Sequence, residues 1–255
     1  MLQTDWLGRR LWYFRTLDSS NRYLHDLPGE RLSHGLVCLT DYQTNGRGQF
    51  GRKWYSSANE NLTFTIALKP ERNDGLQLFS MAVMLALKET IEDMVSARCY
   101  IKWPNDLLYS GEKIAGILTE CTYNGAKLDR ILLGIGINVN QSRFPDSLAH
   151  PATSVSRVSG GQIADRPLFL AMLLNRLEPY IDQVEDGDMN LVYHINRIID
   201  GYGEWVTLMV GGVREETLVK VLGVNEFGHL VVLAENGDVR TFTHQQVRIV
   251  YPTDH

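Results

Sequence analysis

The chain has 255 residues, 44% of them hydrophobic and 22% charged, an ordinary globular composition that buries a sizeable core in one large unit, alone or with a small satellite. Its formal net charge of −5 argues against a general nucleic-acid binder, so any phosphate chemistry must come from a local cluster of cations. Three cysteines (Cys38, Cys99, Cys121) form no C-x-x-C pair, and no run approaches the ~18 apolar residues of a membrane span, so the expectation is a cytoplasmic protein with buried reduced thiols and no membrane contact.

At the N-terminus, MLQTDWLGRRLWYF lacks the long apolar run of a signal peptide. Asp18-Ser19-Ser20-Asn21 offers helix N-caps ahead of RYLHDL and predicts a short helix there. GLVCLTD (35–41) and LTFTIAL (62–68) read as strands. GLQLFSMAVMLALKETIEDMV (75–95) reads as a helix, apolar on nearly every face in its first half and therefore packed inside. CYIKW (99–103), KIAGILTECTY (113–123) and RILLGIGINVN (130–140) have the both-sided apolar character of buried central strands. Two helices follow in PLFLAMLLNRLEPYIDQVED and MNLVYHINRII, the first started by Asp165-Arg166-Pro167. After DGYGEW, the segments EWVTLMV, EETLVKVLGVN, HLVVLAENGDVRTF and QVRIVY predict short strands of a small β-barrel, with a boundary near residues 201 to 203.

Between the first two strands, GRGQFGRKW (46–54) spells a G-x-G-x-x-G dinucleotide fingerprint. That motif needs glycines that close a strand and open a helix. Here RKWYSSANENLTF has no helical period and runs into a strand, so the dinucleotide reading fails on context. What remains is a glycine loop carrying Arg47, Arg52 and Lys53, either solvated surface cations or phosphate ligands.

Two further stations repeat that chemistry. In KWPND (102–106), Pro104 ends regular pairing and is expected to leave Asn105 and Asp106 turned away from the sheet, either as a plain turn or as a metal-and-phosphate station with Lys102. In EKIAGILTE (112–120), Lys113 opens an apolar strand, and Gly116 signals close approach of backbone or ligand. GIGIN (134–138) adds two strand glycines and ends in Asn138, which fits close packing under a flat ligand or between strands.

DSSNRYL, DYQTNGRGQFGRKW, KWPNDLLYSGEKIAGILTE and GIGINVN, in this order, resemble the biotin protein ligases, that is, biotin–[acetyl-CoA-carboxylase] ligases. The resemblance covers essentially the whole chain and implies an α/β (α+β) fold: a class II synthetase-like catalytic domain with a mixed central sheet over residues 1–202, then a small SH3-like β-barrel over 203–255. It implies ATP-dependent ligation of biotin to a lysine of a biotin carboxyl carrier protein through biotinyl-5′-AMP, with ATP and Mg²⁺ but no bound redox cofactor. By the same resemblance Lys113, Arg47 and Lys102 are catalytic. Ser19, Ser20, Asn21, Gln43, Arg47, Gly48, Gln49, Lys113 and Gly116 bind biotin. Arg52, Lys53, Trp54, Lys102, Asn105 and Asn138 bind ATP, and Asp106 holds the metal. No catalytic Cys or Ser-His-Asp set is needed, because the adenylate is already an activated acyl group.

The resemblance admits a homodimer. Some members of the family add an N-terminal helix-turn-helix module; here the first matching block begins at Asp18, and no binding of nucleic acid is expected. A lipoate or octanoate transferase of the same fold is the neighbouring enzyme, and a non-catalytic biotin- or adenylate-sensing module the rival of another class. The uncharged polar set favours biotin, and the retained Lys102, Asp106 and Lys113 favour catalysis.

One position departs from the family's GRGRxGRxW pattern: residue 49 is Gln where the family carries an Arg that helps the loop fold over the adenylate. A charge-assisted hydrogen bond contributes about 1.5–3 kcal/mol. Gln49→Arg is therefore expected to slow release of the adenylate by about tenfold or more. Equal off-rates in a rapid-dilution release assay would show that Arg47, Arg52 and Trp54 alone close the loop.

Overall fold

The computed structural model describes residues 1–96, 98–148 and 150–250. Its first sheet has seven strands: β1 (Leu11–Leu17), β2 (Leu36–Gln43), β3 (Leu62–Leu68), β4 (Cys99–Lys102), β5 (Asp106–Tyr109), β6 (Glu112–Asn124) and β7 (Lys127–Ile137). They are ordered β1-β2-β3-β7-β6-β5-β4, with β1 parallel to β2 and the other pairs antiparallel, so the sheet is mixed. A second, antiparallel sheet follows near the C-terminus: β8 (Trp205–Val210), β9 (Val213–Arg214), β10 (Val219–Val224), β11 (Leu230–Ala234), β12 (Val239–Phe242) and β13 (Val247–Val250). The helices are α1 (Ser20–His25), α2 (Leu76–Met94), α3 (Val155–Val158), α4 (Arg166–Asp186) and α5 (Met189–Asn196).

Strand periodicity divides the side chains of the first sheet between its two faces. Val37, Ile66, Leu68, Ile131 and Leu133 pack with α2 and α4 in the main core, while Leu36, Cys38, Ala67 and Leu132 pack with Leu24 of α1 in a smaller cluster. All seven residues of β3 are buried, because both its faces are covered. Twelve residues of α2 are buried, as its all-round apolar character predicts for a helix sandwiched between the sheet and α4. Helix α4 starts where Asp165 accepts the N–H of Leu168 and ends on Gly187 in the left-handed conformation.

Four expectations are corrected. LWYFRTL, which carries no strand expectation, forms one; its outward residues Leu11 and Tyr13 stay exposed because β1 is an edge strand, while Trp12, Phe14 and Leu17 pack against the smaller cluster. Asp106 does not turn away from the sheet: it opens β5, opposite Lys102 in the ladder. Asn105 is buried, and its carboxamide bonds inward to Gln77 and to the carbonyl of Ile117. Cys121 is exposed, since β6 outruns its cover there, whereas Cys38 and Cys99 are buried and their thiols are pushed up to about 12 by that burial. The strand read over 130–140 begins earlier and stops at Ile137, and the last residue of QVRIVY, Tyr251, lies outside the described residues.

The second sheet shares the main core. Val206, Val219, Val221, Leu230, Val232 and Val247 belong to the same buried cluster as α2 and α5. Two polar hooks fix its position: the Trp103 indole N–H donates to the Gly228 carbonyl at 3.2 Å, and the Asn196 carboxamide donates to Val224 O and accepts from Val224 N.

The N-terminal segment is tied to α4 by one carboxylate. Glu178 is 7% exposed and accepts the backbone N–H groups of Asp5, Trp6 and Leu7 at 2.6, 2.9 and 2.6 Å. Burial alone would raise its pKa, but the three donors outweigh burial and hold it below the ordinary glutamate value. Glu178→Ala should destabilise the protein by about 2–4 kcal/mol in denaturant unfolding at pH 7, since it strands those donors. A depressed carboxyl pKa stabilises fully above its unfolded value and loses that contribution as pH falls through the folded value. The gap between wild type and variant should accordingly close on acidification below about pH 4.3.

Candidate active site

The site lies on the α1 face of the first sheet. Register places Thr40, Thr63, Gly136, Gly116, Asp106 and Lys102 in one row across the strands, and Thr65, Gly134 and Leu118 in the next row on the same face. The centre of this face is stripped of side chains, and other side chains lie down on it. A Cβ added to Gly136 would sit 2.6 Å from Cζ2 of the Trp54 indole; one added to Gly134 would sit 2.7 Å from Cγ of Asn21. The strand glycines thus clear room for two of the protein's own side chains, a third outcome beside the ligand and strand-packing alternatives.

Lys113 reaches this face through a β-bulge. By simple alternation from Gly116, an odd-numbered residue of β6 points into the core, as Ile117 does. The register slips between Leu107 and Leu108, so that Leu108 faces Lys113 and Leu107 faces Ala115, leaving Ile114 as the extra residue. Lys113 is thereby brought onto the site face, where its side chain crosses Gly116 and its Nζ lies 2.6 Å from the Asp106 carboxylate and 5.5 Å from the centre of the Trp54 ring.

At the α1 end the groups are uncharged and tightly ordered. Ser19 is the N-cap of α1, accepting from Arg22 N. Ser20 donates its backbone N–H to Gln43 Oε1 at 2.7 Å, with its hydroxyl 3.1 Å from the same oxygen. Asn21 donates to the Leu118 carbonyl and to Glu120 Oε2, and its Oδ1 accepts from Thr65 Oγ1 at 2.6 Å. Gln43 thus spends its oxygen inward and keeps its amide group for another partner.

The 46–54 loop folds back on itself. Arg47 bridges Lys53, Gly48 N–H donates to Arg52 O, and Trp54 N–H donates to Gly46 O. Gln49–Gly51 form a single 3₁₀ turn, with Phe50 left-handed at φ 56°. Helical continuation is absent here, as the sequence context requires. Arg47 pairs with Glu120 at 2.6 Å, Phe50 packs 4.3 Å under the Arg248 guanidinium from β13, and Gln49 makes no side-chain hydrogen bond among the described residues.

All sixteen residues singled out from the sequence line one cavity of about 430 Å³. Its walls carry six cations (Arg47, Arg52, Lys53, Lys102, Lys113, Arg248) against one carboxylate, Asp106. In a chain of net charge −5, this concentration marks a site for an anion. Two buried polar atoms on the lining lack partners: the Trp54 indole N–H and Asn138 Oδ1. A donor and an acceptor left unpaired in a cavity each cost free energy until a ligand completes them. His244, in the turn between β12 and β13, also lines the cavity, and burial, with His229 nearby, holds its pKa below the ordinary value.

Sequence reasoning missed Thr65, Glu120 and Arg248. Thr65 carried the strand-like alternation of LTFTIAL, which gives no hint of a hydrogen-bonding role; Glu120 and Arg248 are single charges whose partners are distant in sequence.

The model of the biotin/lipoate A/B protein ligase family matches residues 13–138, which hold the first three sequence blocks and the GIGIN of the fourth. The chain belongs to this family. It is 34% identical over 190 residues to the bifunctional ligase/repressor BirA of Bacillus subtilis, an overlap covering 73% of this chain and 58% of that protein. It is 31% identical over 164 residues to the biotin–[acetyl-CoA-carboxylase] ligase of Mycobacterium tuberculosis, covering 62% of this chain and 58% of that one. The chain thus spans about three fifths of the length of these relatives. Among solved structures, the Aquifex aeolicus biotin protein ligase in complex with biotin and ATP superposes with a TM-score of 0.82 at 28% identity, covering 95% of this chain and 99% of that one. Both sheets are included in that match, which agrees with the α/β fold and small C-terminal β unit expected from the sequence.

The stripped face makes a testable demand. Gly136→Ala should destabilise the protein by about 1–3 kcal/mol by pushing the indole off the sheet. In a double-mutant cycle with Trp54→Ala the combined cost should fall well below the sum, because the clash is then gone. Additive costs would show that the indole is not what Gly136 accommodates.

Proposed function

We propose that this protein joins biotin to ATP, giving biotinyl-5′-AMP and pyrophosphate, and then transfers the biotinyl group to a lysine of a carrier protein. The observation that carries this reading is one cavity with two chemically distinct ends: an uncharged hydrogen-bonding end at Ser20, Asn21 and Gln43, and a cationic end around Lys113. The first suits a neutral ureido ring, and the second a carboxylate meeting a polyphosphate. Similarity to the biotin–[acetyl-CoA-carboxylase] ligase of Mycobacterium tuberculosis and to the Aquifex aeolicus enzyme in complex with biotin and ATP supports the same substrates.

In the first step a carboxylate oxygen attacks the α-phosphorus and pyrophosphate leaves. Two unit charges at about 4 Å repel by roughly 4 kcal/mol at an effective dielectric of 20. Lys113, held over Gly116 at the junction of the two ends, offsets that repulsion and stabilises the charge developing on the phosphorus oxygens. Arg47 contributes at the biotin carboxylate, and Lys102, Arg52 and Lys53 hold the phosphates. Adenine lies against Trp54, where the unpaired indole N–H and Asn138 Oδ1 gain partners. Asn105 acts from beneath, since its side chain is spent on Gln77 and Ile117.

Mg²⁺ would suit this donor set as a further neutraliser of phosphate charge. Among the described residues no group of three acidic, His or Cys side chains assembles, so Asp106, now paired with Lys113, is the one carboxylate in the lining that would hold it, and the ion would supply further charge neutralisation. In the second step the carrier's amine attacks the acyl carbon and AMP leaves, with no covalent enzyme intermediate.

Pyrophosphate release should depend on both biotin and ATP and stay unaffected by excess lipoate. Lys113→Ala should lower the rate by about 10²–10³-fold, the usual cost of one preorganised electrostatic group. An intact rate in that variant would move the reacting centre elsewhere, and competition by lipoate would favour the neighbouring enzyme class.

A further inference from the structure

We infer that Glu120 is a positioning residue that serves both ends of the site at once: it orients Asn21 on the sheet and anchors Arg47 of the 46–54 loop. This rests on the ligase reading for its substrate, though not for its geometry.

Glu120 stands on β6 opposite Leu132, in the same face as Gly116 and Leu118. Its two oxygens are divided between two elements: Oε1 meets Arg47 Nη2 at 2.6 Å and Oε2 meets Asn21 Nδ2 at 2.9 Å. The carboxylate is only partly exposed, so the charge pair is less screened than a fully solvated one.

The consequence for Asn21 follows from donor and acceptor inventory. A carboxylate and a backbone carbonyl only accept, so Glu120 and Leu118 fix the amide end of Asn21 toward themselves. The oxygen end must then face Thr65, and the carboxamide lies flat over Gly134 with no freedom to flip. A ureido ring presents its N–H donors and its carbonyl acceptor at fixed positions, so a flip of Asn21 would exchange donor for acceptor against it.

The consequence for the loop is mechanical. Arg47 is tied within the loop to Lys53 by the β-bridge, and Glu120 is its side-chain link to the floor of the sheet. Order at the biotin end and closure of the loop therefore share one residue.

Glu120→Gln and Glu120→Ala separate the two roles. A glutamine's oxygen still accepts from Asn21, while its amide end faces Arg47 donor to donor; alanine loses both contacts. Trypsin cuts after Arg47, Arg52 and Lys53, so nicking of the ligand-free loop reports the anchor directly. It should rise by about three- to fivefold in both variants. The biotin dissociation constant should rise by about tenfold in Glu120→Ala and by less than about threefold in Glu120→Gln. Wild-type nicking in both variants would overturn the anchor, and an unaltered biotin affinity in Glu120→Ala would overturn the orienting role. Failure of the wild-type protein to bind biotin would sink the ligase reading instead, and the nicking comparison would still decide the anchor.

Discussion

The structure depends on a flat patch in the middle of a β-sheet where side chains are missing. Interior strand glycines cost stability through backbone entropy and lost packing. Here Gly134, Gly136 and Gly116 are each closely overlain, by Asn21, by Trp54, and by Lys113 together with Trp54. Each of these three side chains belongs to a different part of the site: the polar end, the loop and the cationic end. The glycine rows set the height at which all three lie, so one surface fixes their mutual geometry. A fold that placed them on separate loops would have to order each one independently, at a conformational cost for every side chain.

Electrostatics builds on that surface. Six cations around one cavity in an acidic protein repel one another, and such an arrangement is tolerable only with local compensation. The compensations are visible. Asp106 takes Lys113, Glu120 takes Arg47, and the ring of Phe50 faces Arg248. Each of these contacts is weak enough, at partly exposed positions, to be exchanged for a stronger bond to phosphate or carboxylate. The site is thus held together by interactions that a ligand can replace.

How much of this was legible in the sequence differs by residue. The glycine-and-cation loop, KWPND and the strand glycines stood out because each breaks a local expectation: a fingerprint without its helix, a proline ending a strand, glycine where strands avoid it. Those breaks marked the cationic stations, the family resemblance added the polar set Ser19, Ser20, Asn21 and Gln43, and all sixteen residues share one cavity. The bulge that brings Lys113 to the site was not legible, because one extra residue in an apolar run leaves no mark on composition. Nor was β1, whose half-exposed alternation resembles a loop until its parallel partner is known. Thr65 and Glu120 act through partners 44 and 73 or more positions away, contacts that only the folded sheet creates.

The second sheet has a definite structural part in the site. It joins the main core through α2 and α5, fixes Trp103 beside the KWPND turn through Gly228, and supplies Arg248 and His244 to the cavity wall. Gly228 also lies close against Gln77, whose carboxamide holds Asn105. A displacement of this sheet would be felt at the cationic end through Trp103 and Asn105 and at the loop through Phe50. The polar end at Asn21 is held by the first sheet and α1 alone. The two ends of the cavity therefore rest on different supports, and the 46–54 loop, touching Glu120 on one side and Arg248 on the other, is the element that joins them.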